Sequence, residues 1–347
     1  MCEIIVDKNV DAVLISGDVF DRSVSSAEAI RTYDKAMTKI CCELKKKVFV
    51  IAGNHDSAER LSSCGELLER AGLYVCGALS GVPRKILLED TEIFLLPWIT
   101  ESKVKSVYPN RQEEITDLTS AYQVVLDNFR SDFTKGKRHI LLSHAFITNS
   151  ETSTSDRAAE VGFATQVPSF VFEGFDYVAL GHIHKPQDVN DYIRYSGTPM
   201  PYSFGKEENQ EKSVTIIDTN DMSHEIVALP LLHRRTSLTG TLDELLNKEY
   251  PEEVLNGYVR LNITDQYMGL NAISELINRY PNALEFSGKT YEKGNSTISL
   301  TIEDLEKLSS DPIEVFKQFC NEIIGESADD HLQELFRNAV DAATEEE

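Results

Sequence analysis

Apolar residues in this chain fall into two rhythms. Short runs rich in β-branched types recur through the first two thirds, each ending abruptly in Gly, Asp, Asn or His. Residues 11–16 (Asp-Ala-Val-Leu-Ile-Ser) read as a buried strand stopped by Gly17-Asp18-Val19-Phe20-Asp21. Residues 48–52 (Val-Phe-Val-Ile-Ala) read as another, broken by Gly53-Asn54-His55-Asp56. Two more are predicted at 139–143, ending in His144, and at 176–180, running into Gly181-His182-Ile183-His184. Shorter strands are expected at 85–88 and 93–96, the second closed by Pro97, and a closing pair at 213–218 and 225–229.

Between these runs the period lengthens to that of a helix. Residues 1–10 read as the end of one, with no strand before it. Ser25-x-x-Glu28 has the form of a capping box, followed by Ile30, Tyr33, Met37, Ile40, Cys41 and Leu44 on one face. Ser57 is expected to cap a helix through Leu67 and Leu68, and a further helix is predicted at 116–129. Residues 147–170 are polar and read as loop, and Tyr195-Ser196-Gly197-Thr198-Pro199 as a turn. Strands alternating with helices, then strands in a run, predict an α/β fold with two sheets sandwiched by helices.

The composition changes near 231–238, which divides the sequence into a domain at 1–230 and a smaller α+β domain at 231–303. The second has an alternating strand at 258–263, a helix face of Ala272, Ile273, Leu276, Ile277 and Tyr280, and a strand at 283–286. A tail at 304–347 carries two apolar stripes at helical spacing. One holds Ile313, Phe316, Cys320 and Ile323, the other Leu332, Leu335, Phe336, Ala339 and Val340. Such stripes pack on their own domain or dock in a partner's groove.

The chain has 347 residues, and no apolar run approaches the ~20 residues a membrane helix needs. Six scattered cysteines without CxxC spacing read as reduced thiols of a cytoplasmic protein. The formal charge of −23 argues against a free-standing nucleic-acid binder, unless bound cations supply positive charge locally.

The chemistry collects where strands end: Asp18, Asn54, His55, His144, His182 and His184. Carboxylate, amide and imidazole without thiolate suit Mn(II), Fe or Zn better than a Cys-rich structural site. If the 182–184 segment is extended, both of its histidines face the same side. Taken singly, Asp18 could be a turn-former and His144 a hydrogen-bonded structural histidine. Together, each after an apolar strand, they point to a two-cation centre for phosphodiester cleavage, with Asp18 able to bridge.

In order and spacing, GDVFD, GNHD, SHA and GHIH resemble the calcineurin-like metallophosphoesterases. The run 177–186 with Tyr195–Pro199 and Tyr202-Ser203-Phe204 is similar in particular to the SbcD-type nuclease subunits, a likeness that spans nearly the whole chain. This resemblance implies an α-β-β-α sandwich with a capping domain and C-terminal helices. It implies two divalent metal ions, Mn2+ above all. Asp18 would bridge them, with Asn54, His144 and His182 on one and His184 on the other. By the same resemblance His55 is not a ligand but contacts the phosphate and assists the leaving oxygen.

The implied activity is ATP-dependent double-strand exonuclease and single-strand endonuclease action in DNA recombination, repair and replication. An SbcC-type ATPase would bind the tail, with a homodimer inside a heterotetramer and no membrane. The family also begins with a strand ending in Asp-x-His, which supplies two ligands to the ion of His184. None precedes Asp18, and Asp329-Asp330-His331 reads as coincidence. The expectation is therefore a truncated gene model or fragment with one strong and one weak metal site. The alternatives are a non-catalytic scaffold that docks the ATPase, or a small-molecule phosphodiesterase, against which the extra domain and tail argue.

Overall fold

The computed structural model describes residues 1–152, 166–208, 210–265, 270–288, 298–301, 313, 316–317 and 332–337. They divide into two compact units, Met1–Leu231 and Leu232–Glu347.

The first unit is built on two sheets. One holds β1 (Ala12–Ile15), β2 (Lys47–Ile51) and β3 (Leu73–Cys76), all parallel and in that order. The other draws on β4 (Lys85–Leu88), β5 (Thr91–Leu96), β6 (Arg138–His144), β9 (Tyr177–Gly181), β10 (Gln187–Asn190) and β11 (Ile193–Tyr195). Its order is β10-β11-β9-β6-β5-β4, with a parallel centre and antiparallel edges. Between β6 and β9 in the chain, β7 (Phe146–Ile147) and β8 (Gln166–Val167) form a short parallel pair.

The layering follows from alternation along β2. Phe49 and Ile51 face the second sheet and pack with Ile93, Leu95 and Leu142. Val48 and Val50 face the other way, onto Ile5, Met37, Ile40 and Cys41 of the flanking helices. All four β2 side chains are fully buried. At about 1.5–3 kcal/mol each, their burial outweighs any strand propensity. On the far face of the second sheet, Phe94 and Leu96 of β5 meet Tyr122, Leu126 and Phe129 of the helix Leu118–Ser131. The result is the expected sequence of helix, sheet, sheet, helix.

Several local expectations shift. β1 is half-buried rather than buried, because it lies at its sheet's edge. The helix cap is Ser26, which accepts from the Ala29 amide, whereas Ser25 donates to the Arg22 carbonyl. Ile30 is 52% exposed, so the buried face begins later, at Met37. The helix after Ser57 is two short ones, Ala58–Leu61 and Gly65–Arg70, parted by Cys64 in the left-handed region. Residues 147–170 are not simply loop. Besides the β7–β8 pair, a 3-10 turn at Ser169–Phe172 buries Val171 and Phe172.

A hairpin of β12 (Ser213–Ile217) and β13 (His224–Ala228) completes the unit. A cavity of about 490 Å³ is lined by Val13 and Leu14 of the edge strand β1 together with Val214 and Ile216 of β12.

The second unit has a sheet of order β14 (Arg235–Gly240), β15 (Tyr258–Ile263), β16 (Ala283–Gly288) and β17 (Ile298–Thr301). The first three strands are parallel and the last antiparallel. Leu276 of the helix Leu270–Arg279 and Tyr280 just after it are buried against the sheet, but Ile277 is not on that face and is exposed. In the tail, Phe316 and Phe336 stack with ring centroids 4.2 Å apart, while Leu332 and Leu335 are exposed. The expected contributions of Cys320, Ile323, Ala339 and Val340 lie outside the described residues, as does Asp329-Asp330-His331.

At the end of the second sheet opposite its ligand-bearing edge, Glu92 of β5 is buried in a polar nest. Its Oε1 lies 2.9 Å from Lys85 Nζ, and it accepts from both the amide and the hydroxyl of Thr134. Burial alone would raise its pKa, but Lys85 and Thr134 prevail and pull it down to about 2. A depressed folded-state pKa contributes stability above the unfolded value, and that contribution is lost as pH falls toward the folded one. Glu92→Gln should therefore lower stability by about 1–3 kcal/mol at neutral pH and flatten its acid dependence between roughly pH 5 and 2. Chemical denaturation across that range is the check.

Candidate metal centre

The carboxyl ends of β1, β2, β6 and β9 converge from the two sheets, and each delivers one polar side chain. Asp18 follows β1, Asn54 follows β2, His144 ends β6 and His182 follows β9. The close approach of the strand ends requires glycine. A Cβ on Gly181 would overlap the Ser16 carbonyl oxygen and come within 2.8 Å of His144 Nδ1. One on Gly53 would run into the Asp18 carboxylate. Asp18 and His182 themselves sit at positive φ, 49° and 100°, strained conformations that surrounding structure must hold. The 182–184 segment is thus not extended, and the expectation that both histidines share a side for that reason fails.

Carboxylate and imidazole atoms of Asp18, His144 and His182 lie within 4.8 Å of one another. Asn54 joins them, with Oδ1 2.9 Å from His144 Nε2 and 3.1 Å from His182 Nδ1. His144 is fully buried, and its Nδ1 donates to the Ser16 carbonyl at 2.7 Å. In the neutral ring, Nε2 therefore bears a lone pair. That lone pair points among acceptor oxygens, Asn54 Oδ1 and Asp18 Oδ2 at 3.2 Å. Acceptors gathered in this way repel unless a proton or a metal cation lies among them, so the residues fit a metal ion.

Burial would raise the pKa of Asp18, yet a protonated His144 beside it and the His55 amide bring it down to about 2, so it is ionised. Burial pushes His182 down to about 3, aided by neighbouring His144, which keeps the imidazole in its ligating form. Gly181→Ala should cost the site its cation affinity while the sheets remain folded, as read by Mn2+ calorimetry alongside circular dichroism. Unchanged affinity would mean that the strand ends have room to part.

His55 stands beside the cluster. Its amide donates to Asp18 Oδ1 at 2.9 Å, and its Nδ1 donates to the Asp21 carbonyl at 2.8 Å. The ring is thereby fixed with Nε2 as its other functional nitrogen. His184 lies outside the cluster of Asp18, His144 and His182; its Nδ1 is 3.7 Å from Glu207 Oε1 and its ring 5.7 Å from that of Tyr202.

Three supporting residues have no role in the sequence reading. Asp56 clamps the two ligand loops together, accepting from the amides of Val19, Phe20 and Gly53. Trp98 stacks on His182 at 5.4 Å and meets His144 edge-on. Glu207 sits behind His184. The chain's sole tryptophan, next to Pro97 at a strand end, was the available signal for Trp98.

Comparison with known proteins follows the same division. Residues 2–186 match the calcineurin-like phosphoesterase family, and residues 232–323 match the type 5 capsule protein repressor C-terminal domain, SbcD_C. Over 286 residues the chain is 30% identical to the SbcD component of the nuclease SbcCD from Staphylococcus epidermidis, covering 81% of this chain and 76% of that protein. The chain belongs to the SbcD-type calcineurin-like phosphoesterases. Family membership implies divalent metal ions, for which the Asp18, Asn54, His144 and His182 cluster supplies the donors. Among the described residues of this SbcD-type chain, no helix is long and apolar enough to cross a membrane.

Proposed function

We propose that this SbcD-type chain is the nuclease subunit of a cytoplasmic SbcCD-like complex. It hydrolyses DNA phosphodiester bonds as a double-strand exonuclease and single-strand endonuclease, with an SbcC-type ATPase as partner. The observation that carries this is the convergence of Asp18, Asn54, His144 and His182 at four strand ends in a phosphoesterase-family domain.

When bound, divalent cations supply Lewis acidity at the phosphoryl oxygen and a hydroxide nucleophile near neutral pH. The site would take two Mn2+ ions, with Asp18 shared, Asn54, His144 and His182 serving the first and His184 the second. Asp18 offers the cluster's negative charge, and the neutral donors leave the cations' charge largely uncompensated toward the phosphate. In its protonated form, His55 holds a proton on Nε2 for the leaving oxygen, with Nδ1 anchored on Asp21. Local cations also reconcile an acidic chain with a polyanionic substrate. The unit after 231 is assigned as a capping domain to about 303. The tail is assigned as the docking element for the ATPase, in an assembly built on a homodimer of this chain.

The test is cleavage of linear duplex DNA by the purified chain with its ATPase, Mn2+ and ATP. Strand loss that is abolished by chelation supports the reading, and no cleavage under these conditions refutes it. A second reading, a docking protein that holds a single ion, is favoured by one observation. Asp18, His144 and His182 make the one group of three possible charged or imidazole ligands among the described residues. That reading predicts ATPase binding without cleavage.

A further inference from the structure

The segment between β11 and β12 contains a fully buried ion pair that the cleavage chemistry does not use. Glu207 and Lys212 are both without solvent exposure, with Lys212 Nζ 3.8 Å from Glu207 Oε2. Burying two charges costs several kcal/mol per ion unless further hydrogen bonds compensate. The compensating bonds lead to His184. Lys212 Nζ donates to the His184 carbonyl at 3.1 Å and to Thr198 Oγ1 at 3.0 Å, and the Thr198 amide donates to the same carbonyl at 3.1 Å. Glu207 Oε2 accepts from the Tyr202 amide at 2.7 Å, holding the segment whose tyrosine ring lies beside the imidazole. The other carboxylate oxygen, Oε1, faces His184 Nδ1 at 3.7 Å, slightly beyond hydrogen-bond range.

We propose that Glu207, held by Lys212, is a positioning residue. It takes the Nδ1 proton of His184 as a hydrogen bond, so that Nε2 carries the lone pair offered to a cation. Metal-ligating histidines generally donate their other ring N–H to a carboxylate or carbonyl, which fixes tautomer and orientation. His144 already does so through Ser16, and His55 has the same arrangement through Asp21. Lys212 fixes the backbone of His184, Glu207 its ring, and their mutual attraction keeps the two restraints in register. The proposal rests on the reading of His184 as a ligand, and the experiment separates the two.

The primary measurement is made on the unaltered protein. Nitrogen-15 correlation spectra of the imidazoles in the metal-free full-length chain, at alkaline pH, should show His184 protonated on Nδ1. Its signal is assigned by its loss in His184→Ala. Glu207→Met should shift that signal toward the Nε2–H form, and Glu207→Gln, whose amide oxygen still accepts, should restore Nδ1–H. An Nε2–H ring in the unaltered protein overturns the proposal. So does an Nδ1–H ring indifferent to Glu207→Met. In Mn2+ titrations of the same proteins, Glu207→Met should weaken the His184-dependent binding step about 10–100-fold. It should have no further effect in the His184→Ala background. If His184→Ala leaves Mn2+ binding untouched while the tautomer result holds, the ligand assignment fails and the positioning contact stands.

Discussion

Asp18→Asn should cost the protein its bound cation and lower phosphodiester cleavage by about 10³-fold or more, the equivalent of roughly 4 kcal/mol in the barrier. The substitution keeps shape and removes charge, so it isolates electrostatics. Asp18 supplies the carboxylate of the cluster, and its Oδ2 lies 3.2 Å from His144 Nε2. Its Oδ1 also accepts from the His55 amide, a contact that an asparagine oxygen preserves. The loop should therefore keep its path while the cation is lost. Calorimetric titration with Mn2+ and the cleavage rate, measured on the same preparation, check this. Tight Mn2+ binding by Asp18→Asn would show that neutral donors suffice.

The second large effect belongs to His55. His55→Ala should retain the cation, since its ring bonds to the Asp21 carbonyl and not to the ligand cluster. Cleavage should fall by about 10²–10⁴-fold, the range for loss of a positioned proton donor. A substrate with a better leaving group should narrow that loss, because less proton transfer is then needed. Metal analysis with rates on two leaving groups decides the matter. Loss of the ion would make His55 a ligand, and an unchanged rate would remove it from the chemistry.

Much of this was legible in the chain because three of the ligand-bearing strands, β2, β6 and β9, are largely buried. Val48–Ile51 sits between helices and a second sheet, so its apolar run is continuous and its breaking glycine conspicuous. The site residues are short polar side chains placed directly after such runs. What stayed hidden depends on partners distant in sequence. β14 reads Arg-Thr-Ser-Leu-Thr-Gly, with no apolar run, and owes its strand to pairing with β15 over the register Arg235–Tyr258 to Gly240–Ile263. β10 and β11 are short and partly polar for the same reason. Ile30 keeps helical spacing yet faces solvent, since periodicity specifies a stripe but not where its cover begins. The geometry at His182 was invisible because a positive φ at a non-glycine residue is imposed by packing. Asp56 acts through the Val19 and Phe20 amides of another loop, and Glu207 through the Tyr202 amide of its own, contacts that no side-chain motif records.

The central claim is that Asp18, Asn54, His144 and His182 together hold a divalent cation. Anomalous X-ray diffraction at the manganese edge, from crystals of the full-length chain grown with Mn2+, tests it most directly. The account predicts a strong peak within about 2–2.5 Å of Asp18 Oδ2, Asn54 Oδ1, His144 Nε2 and a ring nitrogen of His182. Manganese bound elsewhere, with no peak among these four side chains, would contradict it.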